Sequence, residues 1–187
     1  MAIRTILEAP DPRLKRISAP VERFDEELKA LVADMFETMY DAPGIGLAAV
    51  QIDEPLRVVV VDLLDGGEPL PEPAAGEDAP EPEPERVRNP RVFINPELRD
   101  PSEELSVYAE GCLSVPEIYA DVERPARVRL RWQDLDGARH EEDLAGMMAT
   151  CIQHEMDHLD GISFIDHLSR LKRNMVLKKL EKARKAA

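Results

Sequence analysis

Apolar residues recur every three or four positions in three stretches of the chain, a spacing that predicts amphipathic helices. The first stretch covers residues 25–40, where Asp25 is placed to cap the N-terminus and two glutamates follow it in the first turn. The second covers about residues 144–159, with Gly161 just past its end. The last covers residues 166–184. Its apolar stripe consists of Leu168, Leu171, Met175, Val176 and Leu180.

Other patterns predict strands. A nearly continuous apolar run indicates a buried strand over residues 56–61, and residues 91–96 and 104–108 also have strand-like composition. Residues 126–133 alternate strictly between apolar side chains and a polar face that carries three arginines. Such alternation is typical of an antiparallel sheet covered on one side only, and it favours a solvated basic face over a binding patch. Residues 134–137 (Asp-Leu-Asp-Gly) follow as a hairpin turn signal.

Length and composition indicate a single globular domain over residues 1–187. The apolar content of 43% and the length suffice for one core. No run approaches the roughly 18 uncharged apolar residues of a membrane span, and the first ten residues carry charges and do not form a secretory signal. Cys112 and Cys151 are too few for a disulfide scaffold and favour a reducing compartment. We therefore expect a cytoplasmic protein with no membrane attachment.

The net charge of −14 argues against a generic nucleic-acid binder, and no specific DNA binding is expected. The charge is unevenly spread along the chain. Residues 65–85 hold six prolines and eight acidic residues but no basic residue, which predicts a surface insertion with little apolar area to bury. Residues 166–187 carry a net charge of +6 on an otherwise acidic body, so the predicted last helix is basic.

Candidate chemistry is concentrated in residues 154–158, which read His-Glu-Met-Asp-His. In a helix, His154 and His158 lie on the same side and can share a metal ion. Glu155 is then close enough to act on a water molecule at that metal. This H-E-x-x-H pattern is typical of metal-dependent hydrolases.

A catalytic metal site of this kind needs at least one more protein ligand, and the chain offers two cysteines. Cys112 follows Gly111, which lets the backbone crowd a ligand, and two imidazoles with one thiolate leave a fourth position for water. Taken alone, Cys112 is more often a small buried hydrophobic residue. Cys151 lies three residues before His154, where a further ligand would crowd the metal, so a core position is favoured for it.

Three separated segments together resemble the motifs of the peptide deformylases. They are residues 44–51 (Gly-Ile-Gly-Leu-Ala-Ala-Val-Gln), 110–114 (Glu-Gly-Cys-Leu-Ser) and 153–158 (Gln-His-Glu-Met-Asp-His), in the order and spacing of that family. The resemblance covers about residues 3–170 and is to the bacterial type with a helical C-terminal extension; the acidic insertion departs from the shorter members. It implies an α+β fold with mostly antiparallel sheets around a central metal-binding helix, an N-terminal helix and a C-terminal helix.

The resemblance also implies an activity: removal of the formyl group from the N-terminal formyl-methionine of nascent polypeptides, with release of formate. One divalent metal ion would be held by Cys112, His154 and His158. The family uses Fe²⁺, and Ni²⁺, Co²⁺ or Zn²⁺ can occupy the site. Glu155 would act as general base and then as general acid. The side-chain amide of Gln51 and the backbone N–H of Leu113 would stabilise the oxyanion.

By the same resemblance, the substrate-binding residues are Gly44, Ile45, Gly46, Tyr108, Glu110, Gly111, Met147 and Cys151. The methionine side chain is assigned to an apolar pocket formed by Ile45, Tyr108, Met147 and Cys151. Glu110 and Arg124 either form an ion pair that orients the cysteine loop or are ordinary surface charges, and both interpretations stay open. His140 and His167 have no partner in the sequence pattern and are expected to be exposed.

Two other functions fit part of the pattern. If the chain were another H-E-x-x-H hydrolase, such as a metallopeptidase, Gln51 and residues 110–114 would have no assigned role. A non-catalytic metal-binding or ribosome-binding protein is expected to lack Glu155 or Gln51, and neither is lost. The basic residues 166–187 are further expected to attract ribosomal RNA phosphate near the exit tunnel, while the apolar stripe packs on the body.

Overall fold

The computed structural model describes residues 2–65 and 87–186. The predicted acidic insertion over residues 65–85 lies outside the described residues apart from Asp65. Asp65 forms an isolated β-bridge with Val87, so the chain leaves and re-enters the described part at one place. No helix in these two ranges is long and apolar enough to cross a membrane.

Seven strands occur in the described ranges and form two sheets. They are β1 (Gly46–Ala48), β2 (Val58–Val61), β3 (Arg91–Arg99), β4 (Leu105–Cys112), β5 (Val115–Pro125), β6 (Arg127–Gln133) and β7 (Arg139–Ala145). The larger sheet has the order β1-β2-β3-β6-β7, and β4 pairs with β5 in the smaller one. All of these pairings are antiparallel, as predicted.

Three helices lie in the same ranges: α1 (Glu26–Asp41), α2 (Gly146–Leu159) and α3 (Arg170–Ala186). The predicted first helix is confirmed, and its cap is the predicted one. The Asp25 carboxylate accepts a hydrogen bond from the Leu28 N–H at 3.2 Å. Leu28 and Met35 on the apolar face of α1 are buried in one cluster with Val58 and Val60 of β2, so this helix covers one face of the larger sheet.

Helix α2 is the centre of the fold. It packs against β1, β2, β6 and β7 of the larger sheet and against β5 of the smaller one. All side chains from residue 149 to residue 156 are buried. The fold is therefore α+β, with antiparallel sheets around a central helix that carries both motif histidines.

The predicted alternation over residues 126–133 is confirmed in β6. Val128 and Leu130 are buried in the core, whereas the arginines point to the other face. There Arg129 pairs with Asp143 of β7 at 2.7 Å, and Arg131 pairs with Glu141 of the same strand. The basic face is thus matched by acidic groups of the neighbouring strand.

The helix predicted over residues 144–159 begins later, at Gly146. Leu144 instead belongs to β7, where it is buried opposite Val128 of β6. Gly146 adopts a left-handed φ of 58°, which turns the chain out of the strand and into the helix. The predicted start is therefore wrong by two residues, because residues 144 and 145 still belong to β7 and pair with β6.

The C-terminal helix predicted over residues 166–184 begins at Arg170, after a 3₁₀ turn formed by Phe164–His167. The predicted apolar stripe is wrong in part, because Leu171 is 71% exposed and Met175 is 63% exposed. The residues of this region that pack on the body are Leu168, Val176, Leu177 and Leu180.

Candidate metal centre

The three predicted metal ligands meet at the junction of α2 and the β4–β5 hairpin. Cys112 ends β4, and His154 and His158 lie one turn apart on α2. One ligand atom from each of the three lies within 4.8 Å of the others, and Cys112 Sγ is 3.2 Å from His158 Nε2. Cys151 is buried and is not part of this group. The structure thus brings together the three residues that the sequence assigned to the metal.

The chemistry of this group fits a divalent cation. Burial and the neighbouring His154 lower the pKa of His158 well below its usual range, so the ring is neutral, which is the form that binds metals. At His154, burial opposes the charged ring, but Cys112 and Glu110 outweigh burial and raise the pKa. The surroundings of His154 therefore stabilise positive charge, which a metal ion also supplies.

A buried ion pair orients His154. Glu110 Oε2 accepts a hydrogen bond from His154 Nδ1 at 2.8 Å, which leaves Nε2 as the ring nitrogen that can bind a metal. Arg124 donates to both oxygens of Glu110, at 2.6 Å and 3.0 Å, and the two side chains are only 5% and 4% exposed. Burial opposes ionisation of Glu110, but the hydrogen bonds from His154 and Arg124 outweigh it and lower the pKa to about 2. Glu110 and Arg124 therefore form a buried ion pair and are not ordinary surface charges.

Replacing Arg124 by methionine is expected to lower the free energy of unfolding by about 3–5 kcal/mol, because Glu110 would keep a buried charge with the loss of its arginine partner and only the His154 hydrogen bond remaining. Urea unfolding of the metal-free protein measures this loss. Arg127→Met is the matched control, since Arg127 pairs with Glu104 at 2.8 Å while both side chains are 63% exposed. The control should change stability by no more than about 0.5 kcal/mol. If both variants lost the same free energy of unfolding, burial of the Glu110–Arg124 pair would not explain the loss in Arg124→Met.

Glu155 lies beside the ligands and is buried. Its Oε2 has no hydrogen-bond partner among the described residues, and burial raises its pKa to about 7. A carboxyl group with such a pKa can take up and return a proton at neutral pH. Gly46 leaves room for this group, because a Cβ at that position would lie 2.5 Å from Glu155 Oε1.

Gln51 is buried next to Cys112, in the 3₁₀ turn Ala49–Ile52 that follows β1. Its Oε1 accepts a hydrogen bond from the Ala48 N–H at 2.8 Å, which fixes the orientation of the amide. Its Nε2 donates to Ser114 Oγ at 3.0 Å and lies 3.6 Å from Cys112 Sγ. The predicted amide donor is therefore held in one orientation beside Cys112.

A cleft of about 720 Å³ opens over these groups. Its walls include all of the predicted substrate-binding residues together with Leu113; they are Gly44, Ile45, Gly46, Tyr108, Glu110, Gly111, Met147 and Cys151. Gly44 allows Leu113 to approach, since a Cβ there would lie 2.7 Å from Leu113 Cδ1. His158 is buried and does not line the cleft.

The N-terminal segment also lines the cleft, which the sequence patterns did not indicate. Ile6 and Glu8 form part of the wall. The segment is held by backbone hydrogen bonds from the Leu7 N–H to the Gln51 carbonyl at 2.7 Å and from the Ala9 N–H to the carbonyl of residue 114 at 2.8 Å. It has no regular periodicity, so no sequence signal marks it as part of the site.

The two remaining histidines are exposed, as predicted, but each has a carboxylate partner that the sequence did not reveal. His140 Nε2 lies 2.7 Å from Asp134 Oδ2 in the β6–β7 hairpin. His167 Nε2 lies 2.7 Å from Asp157 Oδ2 of α2.

Comparison with known proteins agrees with the family resemblance of the sequence motifs. The family model described as polypeptide deformylase matches residues 3–174. The chain is 68% identical to a peptide deformylase of Novosphingobium aromaticivorans over 190 aligned positions, which cover 100% of both chains. It is also 68% identical to a peptide deformylase of Rhizorhabdus wittichii, covering 100% of this chain and 98% of the relative.

Solved structures of peptide deformylases also match this chain along nearly its whole length. The crystal structure of a peptide deformylase from Legionella pneumophila has a TM-score of 0.82 and 41% identity, covering 99% of this chain and 97% of that one. The peptide deformylase from Ehrlichia chaffeensis in complex with actinonin has a TM-score of 0.83 and 35% identity, covering 98% of each chain.

Proposed function

This chain belongs to the polypeptide deformylase family and is a metal-dependent hydrolase that removes the N-formyl group of nascent peptides; we propose that it does so in the cleft over Cys112, His154 and His158. One observation carries the proposal. The ligand atoms of Cys112, His154 and His158 lie within 4.8 Å of one another, Cys112 and His154 line the cleft, and the Glu155 carboxyl group beside them has an oxygen without a partner among the described residues.

Cys112, His154 and His158 would hold the metal ion. When bound, it supplies Lewis acidity, which makes hydroxide available near pH 7 and polarises the acyl oxygen. We propose Fe²⁺ as the native metal, as the resemblance implies. Ni²⁺, Co²⁺ and Zn²⁺ are expected to occupy the same site, because two imidazoles and one sulfur suit several of these ions.

Glu155 moves the protons of the reaction. Its Oε2 accepts a proton from the attacking water as the new C–O bond forms at the formyl carbon. It then returns this proton to the amide nitrogen as the C–N bond breaks, so that formate and a peptide with an N-terminal amine are released. The pKa of about 7, which results from burial, suits both halves of this transfer.

Gln51 and Leu113 would stabilise the negative charge that develops on the former formyl oxygen. The Gln51 Nε2 and the Leu113 backbone N–H are the proposed donors. The Gln51 amide is already fixed by Ala48 and Ser114, so the donor does not have to reorient during the reaction.

The cleft walls suit an extended peptide. Gly44, Ile45 and Gly46 line the cleft where the edge strand β1 begins, so a substrate can pair with their backbone as an added strand. Glu110 and Gly111 of β4 line the cleft as well. We propose that the methionine side chain packs against apolar side chains of the wall: Ile45, Tyr108, Met147 and Cys151. Formate release from a formyl-methionyl peptide, with the acetylated peptide as control, tests this function.

The whole chain is proposed to form one domain, with residues 65–85 inserted at its surface. Support comes from the described residues at the two ends of this segment. Asp65 forms a β-bridge with Val87, and Asn89 Nδ2 donates to Asp65 Oδ1 at 3.0 Å. The segment thus starts and ends at one point of the body.

Deleting residues 67–84 and closing the gap with a short Gly-Ser link is expected to change the free energy of unfolding by no more than about 1 kcal/mol, because the entropy of closing a loop depends only weakly on its length. Hydrolysis of a short formyl-methionyl peptide should stay at the parental rate. Urea unfolding and formate release measure the two quantities. A chain with a Gly-Ser segment of the original length serves as control, and a loss of several kcal/mol in both would show that the insertion stabilises the body.

A cytoplasmic location close to the ribosome is proposed for this chain, with α3 as the element that attracts ribosomal RNA phosphate. The helix is anchored by buried Leu180, while Lys178, Lys179 and Lys182 are exposed. Its charge and its packing therefore use different side chains, so the charge can be altered without disturbing the packing.

Replacing Lys178, Lys179 and Lys182 together by glutamine is expected to weaken binding to ribosomes by about tenfold at low salt, since fewer phosphate counterions are released. Co-sedimentation at several salt concentrations measures the effect, and hydrolysis of a short peptide should be unaffected. The same three positions replaced by arginine keep the charge and should bind as the parent does. Equal binding by the glutamine and arginine variants would refute the proposed role of α3.

A further inference from the structure

The 3₁₀ turn Phe164–His167, which connects the region of α2 to α3, contacts the ligand His154 directly. The Phe164 ring is buried and stacks on the His154 ring, with centroids 5.9 Å apart and planes at 23°. His167 ends the same turn but lies at the surface, with its side chain 37% exposed. The turn therefore reaches from the protein surface to one face of a metal ligand.

A continuous series of hydrogen bonds leads from His167 to the same ligand. The His167 Nε2–H donates to Asp157 Oδ2 at 2.7 Å, and this oxygen also accepts from Arg124 Nη1 at 2.9 Å. Arg124 binds both oxygens of Glu110, at 2.6 Å and 3.0 Å. Glu110 Oε2 finally accepts from His154 Nδ1 at 2.8 Å. The series thus ends on the nitrogen that sets the orientation of the ligand ring.

The inner members of this series have few alternative partners. Arg124 and Glu110 are buried, and the planar guanidinium spans Glu110 and Asp157 at once. Asp157 is 20% exposed, so its carboxylate can turn towards water if one of its two donors is lost. A change at Asp157 therefore alters the position of Arg124, and through it the position of Glu110.

We propose that His167 is a positioning residue for the metal ligand His154, acting through Asp157, Arg124 and Glu110. The N–H of His167 holds the Asp157 carboxylate where Arg124 can bind it and Glu110 together. Glu110 then fixes the rotation of the His154 ring, which presents Nε2 to the metal. This inference rests on the proposed metal site.

The test compares His167→Leu, which removes the donor, with His167→Gln, which keeps an N–H donor of similar reach. The affinity of the metal-free protein for Co²⁺ is measured by competition with a chelator. In His167→Leu it should fall by about two- to tenfold, less than the roughly 10–100-fold typical of a residue bonded directly to a ligand. In His167→Gln it should return to the parental value. The visible absorption bands of bound Co²⁺ should shift in the leucine variant alone.

His140→Leu is the matched control, because His140 is 43% exposed and makes the same 2.7 Å contact to an aspartate in the β6–β7 hairpin. It should leave Co²⁺ affinity and spectrum unchanged. Equal affinities of His167→Leu and His140→Leu would overturn the proposal, as would an equal loss in His167→Leu and His167→Gln. A parental protein that binds no Co²⁺ would refute the proposed metal site and this inference together, an outcome distinct from normal binding by every variant.

Discussion

Replacing Glu155 by alanine is expected to lower kcat for a formyl-methionyl peptide by about 10²–10⁴-fold, the usual contribution of a general acid–base group. Glu155 is buried beside the ligands, one of its oxygens has no partner in the described ranges, and burial raises its pKa to about 7. Glu110, the other carboxylate next to His154, is already bound by Arg124 and by the His154 ring, so it is not available to move protons. Steady-state formate release by the Fe²⁺-loaded variant measures the loss.

Two controls separate this role from metal binding and from folding. Metal content of the Glu155→Ala protein should match that of the parent, because the proposed ligands are Cys112, His154 and His158. Glu142→Ala on β7 removes an exposed carboxylate that pairs with Arg91, and kcat should not change. Near-normal kcat in a metal-loaded Glu155→Ala protein would refute the proton transfer assigned to Glu155.

Replacing Cys112 by alanine is expected to abolish metal binding and activity together. The Cys112 sulfur lies 3.2 Å from His158 Nε2 and is the only sulfur among the three ligand atoms. A site left with two imidazoles has too few protein ligands for a stable catalytic metal, so bound metal should fall below about a tenth of an equivalent. Metal analysis of protein purified without oxygen measures the content, and formate release measures the activity.

Cys151→Ala is the matched control for this variant, because it removes a sulfur from the same region of the fold. Cys151 is buried on α2 and lines the cleft, but it lies outside the ligand group. Its loss should cost about 1 kcal/mol of stability, as is common for a small core truncation, and should leave the metal in place. Loss of the metal from Cys151→Ala with retention in Cys112→Ala would show that the ligand assignment is wrong.

The two histidines of the site could be predicted from local sequence, because a spacing of four residues places both on one face of any helix. Cys112 is different. It lies 46 residues from His158, and only the packing of the β4–β5 hairpin against α2 brings the two side chains within 3.2 Å. The local pattern around Cys112 therefore left its role open, and the family resemblance was needed to assign it.

Strand β7 shows why periodicity missed part of the fold. Within Arg139–Ala145 only Leu144 is buried, so the apolar alternation that identifies a strand is lacking. This edge strand is instead matched to β6 through pairs such as Arg129 with Asp143. Its formation depends on pairing with β6, and the spacing of apolar residues within β7 does not reveal this pairing.

The sequence does not decide whether Glu110 and Arg124 form a buried pair, because the residues that meet there are far apart in the chain. The two residues are 14 positions apart, and Glu110 and His154 are 44 positions apart. Charged residues are mostly exposed, and only the packing of the hairpin against α2 buries this pair beside His154. His167, which extends the same network to the surface through Asp157, has no sequence signal of its own.

Formate release as a function of bound Fe²⁺ is the direct test of a deformylase with the proposed metal site. Protein purified without oxygen is stripped with a chelator, titrated with Fe²⁺, and assayed on a formyl-methionyl peptide. Activity should rise in proportion to bound metal and saturate at one Fe²⁺ per chain, while Cys112→Ala stays at the baseline throughout. Full activity in the stripped protein, or no formate at any metal content, would contradict a deformylase whose metal is held by Cys112, His154 and His158.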